Sequence, residues 1–228
     1  MSELMTFDFP PYRLSGVVYG TLMNDPQSLS DLGDKVNEAP YKAPPKAPIL
    51  YVKPHNTLAS SGSVLRLPAG NQFLEVGAAL GLVIGCTACR VPVDQAMDYI
   101  AGYTIVNDVS LPHDSFYRPS VRLKARDGFC PIGPCVIPSA KVLTPDELEV
   151  CVYIDDNLAQ QSSTAGRVRP VAQLLADVTD FMTLQAGDIL MLGAAADAPK
   201  VADGQHVKIE ISGLGSLENT VANEEGLS

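Results

Sequence analysis

The sequence predicts a strand-dominated α+β fold with few short helices. Three observations carry the prediction. The apolar segments are short and rich in β-branched residues, turn-forming Gly and Pro (18 each) are spread along the chain, and only two longer segments keep an apolar period near 3.6.

Residues 1–48 are rich in turn formers and end in a run with Pro40, Pro44, Pro45 and Pro48, which excludes a continuous helix. They read as an N-terminal segment wrapping the main body, with a short helix over Ser28 to Val36. Residues 49–228 read as one catalytic-type domain. Ile49–Val52, Val64–Leu67, Leu80–Ile84, Tyr103–Val106 and Val150–Ile154 have strand composition, and so does the segment 188–192. Val207–Ile211 alternates strictly. Helices are expected over Val93–Ala101, between Pro92 and Gly102, and over Val168–Met182, where Val171, Leu174, Leu175 and Val178 keep a helical spacing.

Composition narrows the function classes. A formal net charge of -10 with 16 scattered basic residues argues against nucleic acid, which needs clustered Lys and Arg. No run of about 18 apolar residues argues for a membrane span. Glu3 and Asp8 near the N-terminus do not suit an export signal, so the expected location is cytoplasmic. Five cysteines, an odd number, fit reduced thiols better than a disulfide framework. Cys86 and Cys89 form a Cys-x-x-Cys pair that Cys130 and Cys135 can complete to four zinc thiolates. The second spacing is atypical for a zinc knuckle, and buried Cys is common as a small apolar residue.

The densest chemistry lies between Ala101 and Pro134. Arg118, Arg122, Lys124 and Arg126 fall within nine residues, beside Asp108 and Asp127, in an otherwise acidic chain. Such a cluster suits an anionic substrate: Arg clamps a carboxylate through parallel hydrogen bonds, and Lys stabilises a developing enolate. The alternative is a solvated basic edge. His55 and His113 are weaker candidates for the pocket rim.

Gly102-Tyr-Thr-Ile-Val-Asn-Asp-Val-Ser110, the later Lys124, Gly187-Asp-Ile-Leu-Met-Leu-Gly193 and the closing Ile209-Glu-Ile-Ser-Gly-Leu-Gly-Ser-Leu-Glu-Asn219 resemble the fumarylacetoacetate hydrolase superfamily. Tyr41-Lys-Ala-Pro-Pro-Lys46, Lys53-Pro-His-Asn-Thr57 and the stretch from Phe116 to Gly133 resemble its branch of isomerase/decarboxylases of 4-hydroxyphenylacetate (homoprotocatechuate) breakdown, in particular their N-terminal half or subunit.

The resemblance implies a mixed β-sandwich roll and a divalent metal, Mg²⁺ or Mn²⁺, held by two Glu and one Asp. It implies decarboxylation of 5-oxopent-3-ene-1,2,5-tricarboxylate and isomerisation of 2-hydroxyhepta-2,4-diene-1,7-dioate. The catalytic positions fall on Lys124 and Asp108, and the substrate-binding positions on Arg118, Lys53, Arg122 and Tyr103. Asp108 is the one metal-ligand position that matches. The paired glutamate positions carry Gly77 and Ala79, with Glu75 two residues earlier. A lid His-x-x-Glu dyad has no match among His55, His113 and His206, and Gly-Thr-Pro reads Gly193-Ala-Ala.

The expectation is therefore an oxo-acid-binding unit with an incomplete metal site of its own. It would work as a homo-oligomer or with a homologous C-terminal-type subunit that keeps the metal triad. The other reading is a catalytically silent scaffold for that subunit.

Overall fold

The computed structural model describes residues 17–113 and 120–224, together with the backbone of a short strand pair at 8–9 and 12–13. In chain order, the strands of the two large sheets are β1 (Val18–Leu22), β2 (Ile49–Lys53), β3 (Leu58–Ser60), β4 (Val64–Leu67), β5 (Ala78–Ile84), β6 (Ile100–Asn107) and β7 (Cys130–Pro138). They continue with β8 (Glu149–Ile154), β9 (Asn157–Ser163), β10 (Ile189–Met191), β11 (His206–Ile211) and β12 (Gly215–Asn223). The α-helices are α1 (Pro26–Leu32), α2 (Val121–Lys124) and α3 (Val171–Phe181).

One sheet has seven strands in the order β2-β1-β10-β5-β6-β7-β3, and the other has five in the order β9-β8-β11-β12-β4. Both are mixed, since β1 runs parallel to β10, β3 to β7 and β4 to β12. Every residue of β5 is buried, because strands flank it and apolar layers cover both faces. In β11, by contrast, Val207, Ile209 and Ile211 turn inward and alternate with half-exposed residues, as expected for a sheet with one wet face.

Two apolar layers follow. The larger lies between the sheets, where Leu80, Leu82, Ile105, Val150, Val152 and Ile209 meet α3 through Leu174, Leu175 and Val178. The smaller is filled by Val18, Ala79, Val83, Val106, Ile132 and Met191. Tyr51 from edge strand β2 and Leu58 from edge strand β3 both pack against this smaller layer, so the seven-stranded sheet curls far enough for its two edges to share a filling. This is the strand-dominated roll that the sequence predicts.

Several local expectations differ. The sheet does not break near residue 48: β1 lies inside the seven-stranded sheet, paired with β2 over Val18↔Lys53 to Leu22↔Ile49. The segment expected to wrap the body therefore supplies an internal strand as well. The expected helix at 93–101 is a 3-10 turn over Val93–Tyr99, because Ile100 is already drawn into the ladder opposite Ile84. The expected helix at 28–36 starts earlier, at Pro26, and passes into a 3-10 turn at Gly33, where φ is +50°. Helix α3 begins three residues later than expected. Pro170 sits at its N-cap and the Val171 N–H donates to Asp146 Oδ1. Strand β7 was obscured by Pro131, Pro134 and Pro138; its register against β6 shifts between Gly133 and Ile137.

One glycine ties the fold to the site. Gly20 in β1 lies against the Tyr51 ring, and a Cβ there would overlap the ring carbon that bears the hydroxyl. Gly20→Ala is expected to cost about 1–3 kcal/mol through overpacking and to displace Tyr51. Urea unfolding of the variant, followed by circular dichroism and tyrosine fluorescence, checks this; unchanged stability would contradict the close approach.

Candidate functional site

The ladder between β5 and β6 ends where Ala78 pairs with Asn107, so the chain after β6 leaves the sheet at Asp108 beside Gly77. The Asp108 N–H donates to the Gly77 carbonyl at 2.8 Å. Two cations converge on Asp108 from other elements. Lys53, the last residue of β2, places Nζ 2.8 Å from Oδ1, and Lys124, the last residue of α2, places Nζ 2.7 Å from Oδ2. The Tyr51 hydroxyl donates to Oδ2 as well. Tyr51 and Lys53 share a face of β2 because strand side chains alternate with period two.

Lys53 is fully buried, and its Nζ also donates to the Val109 and Lys124 carbonyls, each at 2.8 Å. Two backbone carbonyls thus accept from the ammonium group and the Asp108 carboxylate supplies its counter-charge, which together make burying a lysine tolerable. The Lys124 Nζ lies 5.1 Å from the centroid of the Tyr51 ring, within cation–π range.

Burial alone would raise the Asp108 carboxyl, but the two ammonium groups outweigh it and hold Asp108 well below the usual carboxylate range. Burial pushes Lys53 down, and Asp108 partly offsets this. The Tyr51 phenol is pushed well above its ordinary value by burial and then by the adjacent carboxylate. Burial also pushes the Cys130 thiol up, to about 12. The cluster thus sets one carboxylate against two lysines, with a phenol and a thiol whose ionisation is disfavoured beside them.

The cluster forms one wall of a cavity of about 590 Å³. Lys124, Asp108 and Tyr51 line it together with Glu75, Gly77, Ser110 and His113, and the loop from Ala194 to Ala198 closes the far side. The Ser110 hydroxyl donates to Glu75 Oε2 at 3.3 Å.

Of the residues singled out in the sequence, Lys124, Asp108 and Lys53 come together, and His113 lines the same cavity. Tyr103 does not: it is fully buried in the layer between the sheets, because its position on β6 points away from the cavity. Arg122 is exposed on α2 and lies outside the cavity lining. Arg118 lies outside the described residues. Arg126 reaches Glu224 at 3.9 Å, Asp127 accepts from Asn56, and His55 is exposed. The dense run of cations thus contributes one of its described members, Lys124, to the pocket. Ser110 falls within the stretch from Ala101 to Pro134 that the sequence singles out, whereas Tyr51 and the Ala194 loop were not among the candidate site residues. For Tyr51 a signal existed, two residues before Lys53 on a predicted strand.

A divalent metal does not fit this donor set. The Asp108 carboxylate already faces two lysines, Lys53 at Oδ1 and Lys124 at Oδ2, and Tyr51 donates to Oδ2. Gly77 lies so close that a Cβ would sit 2.6 Å from the Asp108 carbonyl oxygen. Ala79 is 2% exposed in the apolar filling of the roll. Among the described residues no three His, Cys, Asp or Glu side chains are grouped to hold a metal ion, and this includes the cysteines: Cys86 and Cys89 are exposed while Cys130 is buried.

Removing the carboxylate would leave two buried ammonium groups without a counter-charge. Asp108→Asn is expected to cost about 3–5 kcal/mol at neutral pH. Because the folded-state pKa of Asp108 is depressed below 3.8, its contribution is complete above that pH and is lost as pH falls through the folded value. Urea titrations from about pH 7 down to about pH 2 should show a steep acid loss in the wild type that is shallower in the variant. Parallel acid limbs would contradict this assignment.

Comparison with known proteins fits the geometry. The family model described as fumarylacetoacetate (FAA) hydrolase C-terminal matches residues 17–222. The 4-hydroxyphenylacetate degradation bifunctional isomerase/decarboxylase of Escherichia coli is 37% identical over 211 residues, covering 92% of this chain and 48% of that protein. The chain thus spans about half the length of the curated isomerase/decarboxylase relatives it matches. Among solved structures, a 5-carboxymethyl-2-hydroxymuconate delta-isomerase from Mycobacterium smegmatis superposes with a TM-score of 0.79 at 27% identity, covering 93% of this chain and 81% of that one. A 2-hydroxyhepta-2,4-diene-1,7-dioate isomerase from Mycobacterium marinum does so with a TM-score of 0.76 at 27% identity, covering 93% and 77%. In sequence and in fold, the chain belongs to the fumarylacetoacetate hydrolase family.

Proposed function

We propose that this chain is the N-terminal-type half or subunit of an isomerase/decarboxylase of 4-hydroxyphenylacetate breakdown. Its substrates would be oxo-carboxylic acids of the type of 5-oxopent-3-ene-1,2,5-tricarboxylate and 2-hydroxyhepta-2,4-diene-1,7-dioate. The supporting observation is Lys124, nearly buried, ion-paired to Asp108 and lining a cavity large enough for a small organic acid.

Both reactions build negative charge on one oxygen. Loss of CO₂ leaves an electron pair that delocalises onto the neighbouring carbonyl oxygen as an enolate. Isomerisation moves a proton between an enol oxygen and the far end of a conjugated system, through the same kind of anion. A fixed ammonium group in a site of low dielectric favours that anion more than it favours the neutral ground state. In this reading the Lys124 Nζ donates to the enolate oxygen, and Asp108 and Tyr51 hold Nζ in place. Lys53 positions Asp108 without touching the substrate. Steps that need a divalent metal belong to a homologous C-terminal-type subunit, with which this chain assembles.

A second reading, a silent scaffold for that subunit, is favoured by the close approach at Gly77. The two separate in one assay. Isomerisation is followed by ultraviolet absorbance for the chain alone, for the metal-bearing homologue alone, and for the mixture. Lys124→Met in this chain is expected to lower kcat/KM of the mixture by about 10²-fold or more, with oligomeric state unchanged. An unaltered rate assigns the chain to the scaffold role.

A further inference from the structure

Among the described residues the cavity lacks the groups that would hold a divalent metal. We infer that it binds a small organic dicarboxylate without any divalent cation, the Lys124 ammonium providing the positive charge, and that the backbone packed against Gly77 leaves no room there for a metal-binding side chain.

Three observations carry this, and it rests on the oxo-acid reading proposed above. The first is the pairing of Asp108 with two lysines. Lys53 faces Oδ1 in an ion pair at 2.8 Å, while Lys124 and Tyr51 donate to Oδ2. Turning the carboxylate toward a metal would strip Lys53, fully buried, of its counter-charge. The second is the approach of β5 to the chain after β6. The Cβ of any side chain at position 77 would meet a backbone oxygen at 2.6 Å, and the Gly77 carbonyl is itself held by the Asp108 N–H at 2.8 Å. A glutamate there requires the two segments to separate. At position 79 a glutamate would enter the apolar filling beside Val106 and Met191.

The third is charge. Lys124 and Lys200 line the cavity together with Asp108, Glu75 and Asp197, so an anion entering it finds ammonium groups in the lining itself. Glu75 Oε2 accepts from Ser110, and among the described residues no three His, Cys, Asp or Glu side chains are grouped to supply the oxygen ligands that Mg²⁺ or Mn²⁺ requires.

The test uses 2-oxoglutarate as the probe dicarboxylate, with the full chain. Thermal unfolding is measured with and without it, in EDTA and in excess Mn²⁺. The expected result is an equal rise of the midpoint under both conditions, since a ligand that binds the folded state stabilises it by mass action. Lys124→Met is expected to weaken binding at least about tenfold. In parallel, the electron paramagnetic resonance signal of added Mn²⁺ should stay that of the free ion for the wild type. It should remain so for the double variant Gly77→Glu/Ala79→Glu, which should also melt lower. A probe-induced rise that requires Mn²⁺ overturns the metal-free inference and leaves the oxo-acid reading standing. No rise under either condition overturns both. A wild-type protein that quenches the Mn²⁺ signal overturns metal exclusion without recourse to any variant. A double variant that quenches the signal at unchanged melting temperature shows that the missing carboxylates alone kept the metal out.

Discussion

The carboxylate of Asp108 is the constraint on which the site depends. It accepts an ion pair from the end of β2, another from the end of α2 and a hydrogen bond from the middle of β2, and its own backbone is tied to Gly77 at the mouth of β5. Elements far apart in sequence are therefore fixed by one charge. A buried lysine such as Lys53 is strongly unfavourable unless it is paired and hydrogen-bonded, and here two carbonyls accept from it and Asp108 is its counter-charge. The interaction is better understood as setting position than as adding stability, since buried ion pairs roughly break even against desolvation.

This arrangement also explains why the family resemblance carries over unevenly. The carboxylate and the lysine are present, while position 77 is a glycine packed against the carboxylate's own backbone. Lys124 and Asp108 thus share a geometry suited to holding an anion, and the two lysines already face the Asp108 carboxylate.

Much of the fold was legible from composition. β5 is a continuous apolar run, β11 alternates strictly, and α3 keeps its apolar period. What escaped were strands whose residues carry no local signal: β7 is interrupted by three prolines, and β9 is polar and lies at a sheet edge. β1 lies ahead of a proline-rich stretch that drew attention away from it. At the candidate site, Lys124, Asp108 and Lys53, singled out through motif resemblance, come together, whereas Tyr103, singled out in the same motif, lies in the layer between the sheets. Neighbourhood in a motif is not neighbourhood in space, since alternate residues of β6 face opposite layers. Among the described residues, no helix is long and apolar enough to cross a membrane.

By itself the sequence determined the strand-rich class, the acidic balance, the segment that bears the chemistry and the absence of glutamates at positions 77 and 79. These are properties of residue identity and spacing, and they need no long-range contact to be read. Only the tertiary structure decided which cation of the cluster turns inward, that Tyr51 joins the carboxylate, and that Gly77 lies against the Asp108 backbone. Those facts depend on how a curled sheet brings β2, β5 and α2 to one point, and the depth and register of that curl are set by packing across the whole roll.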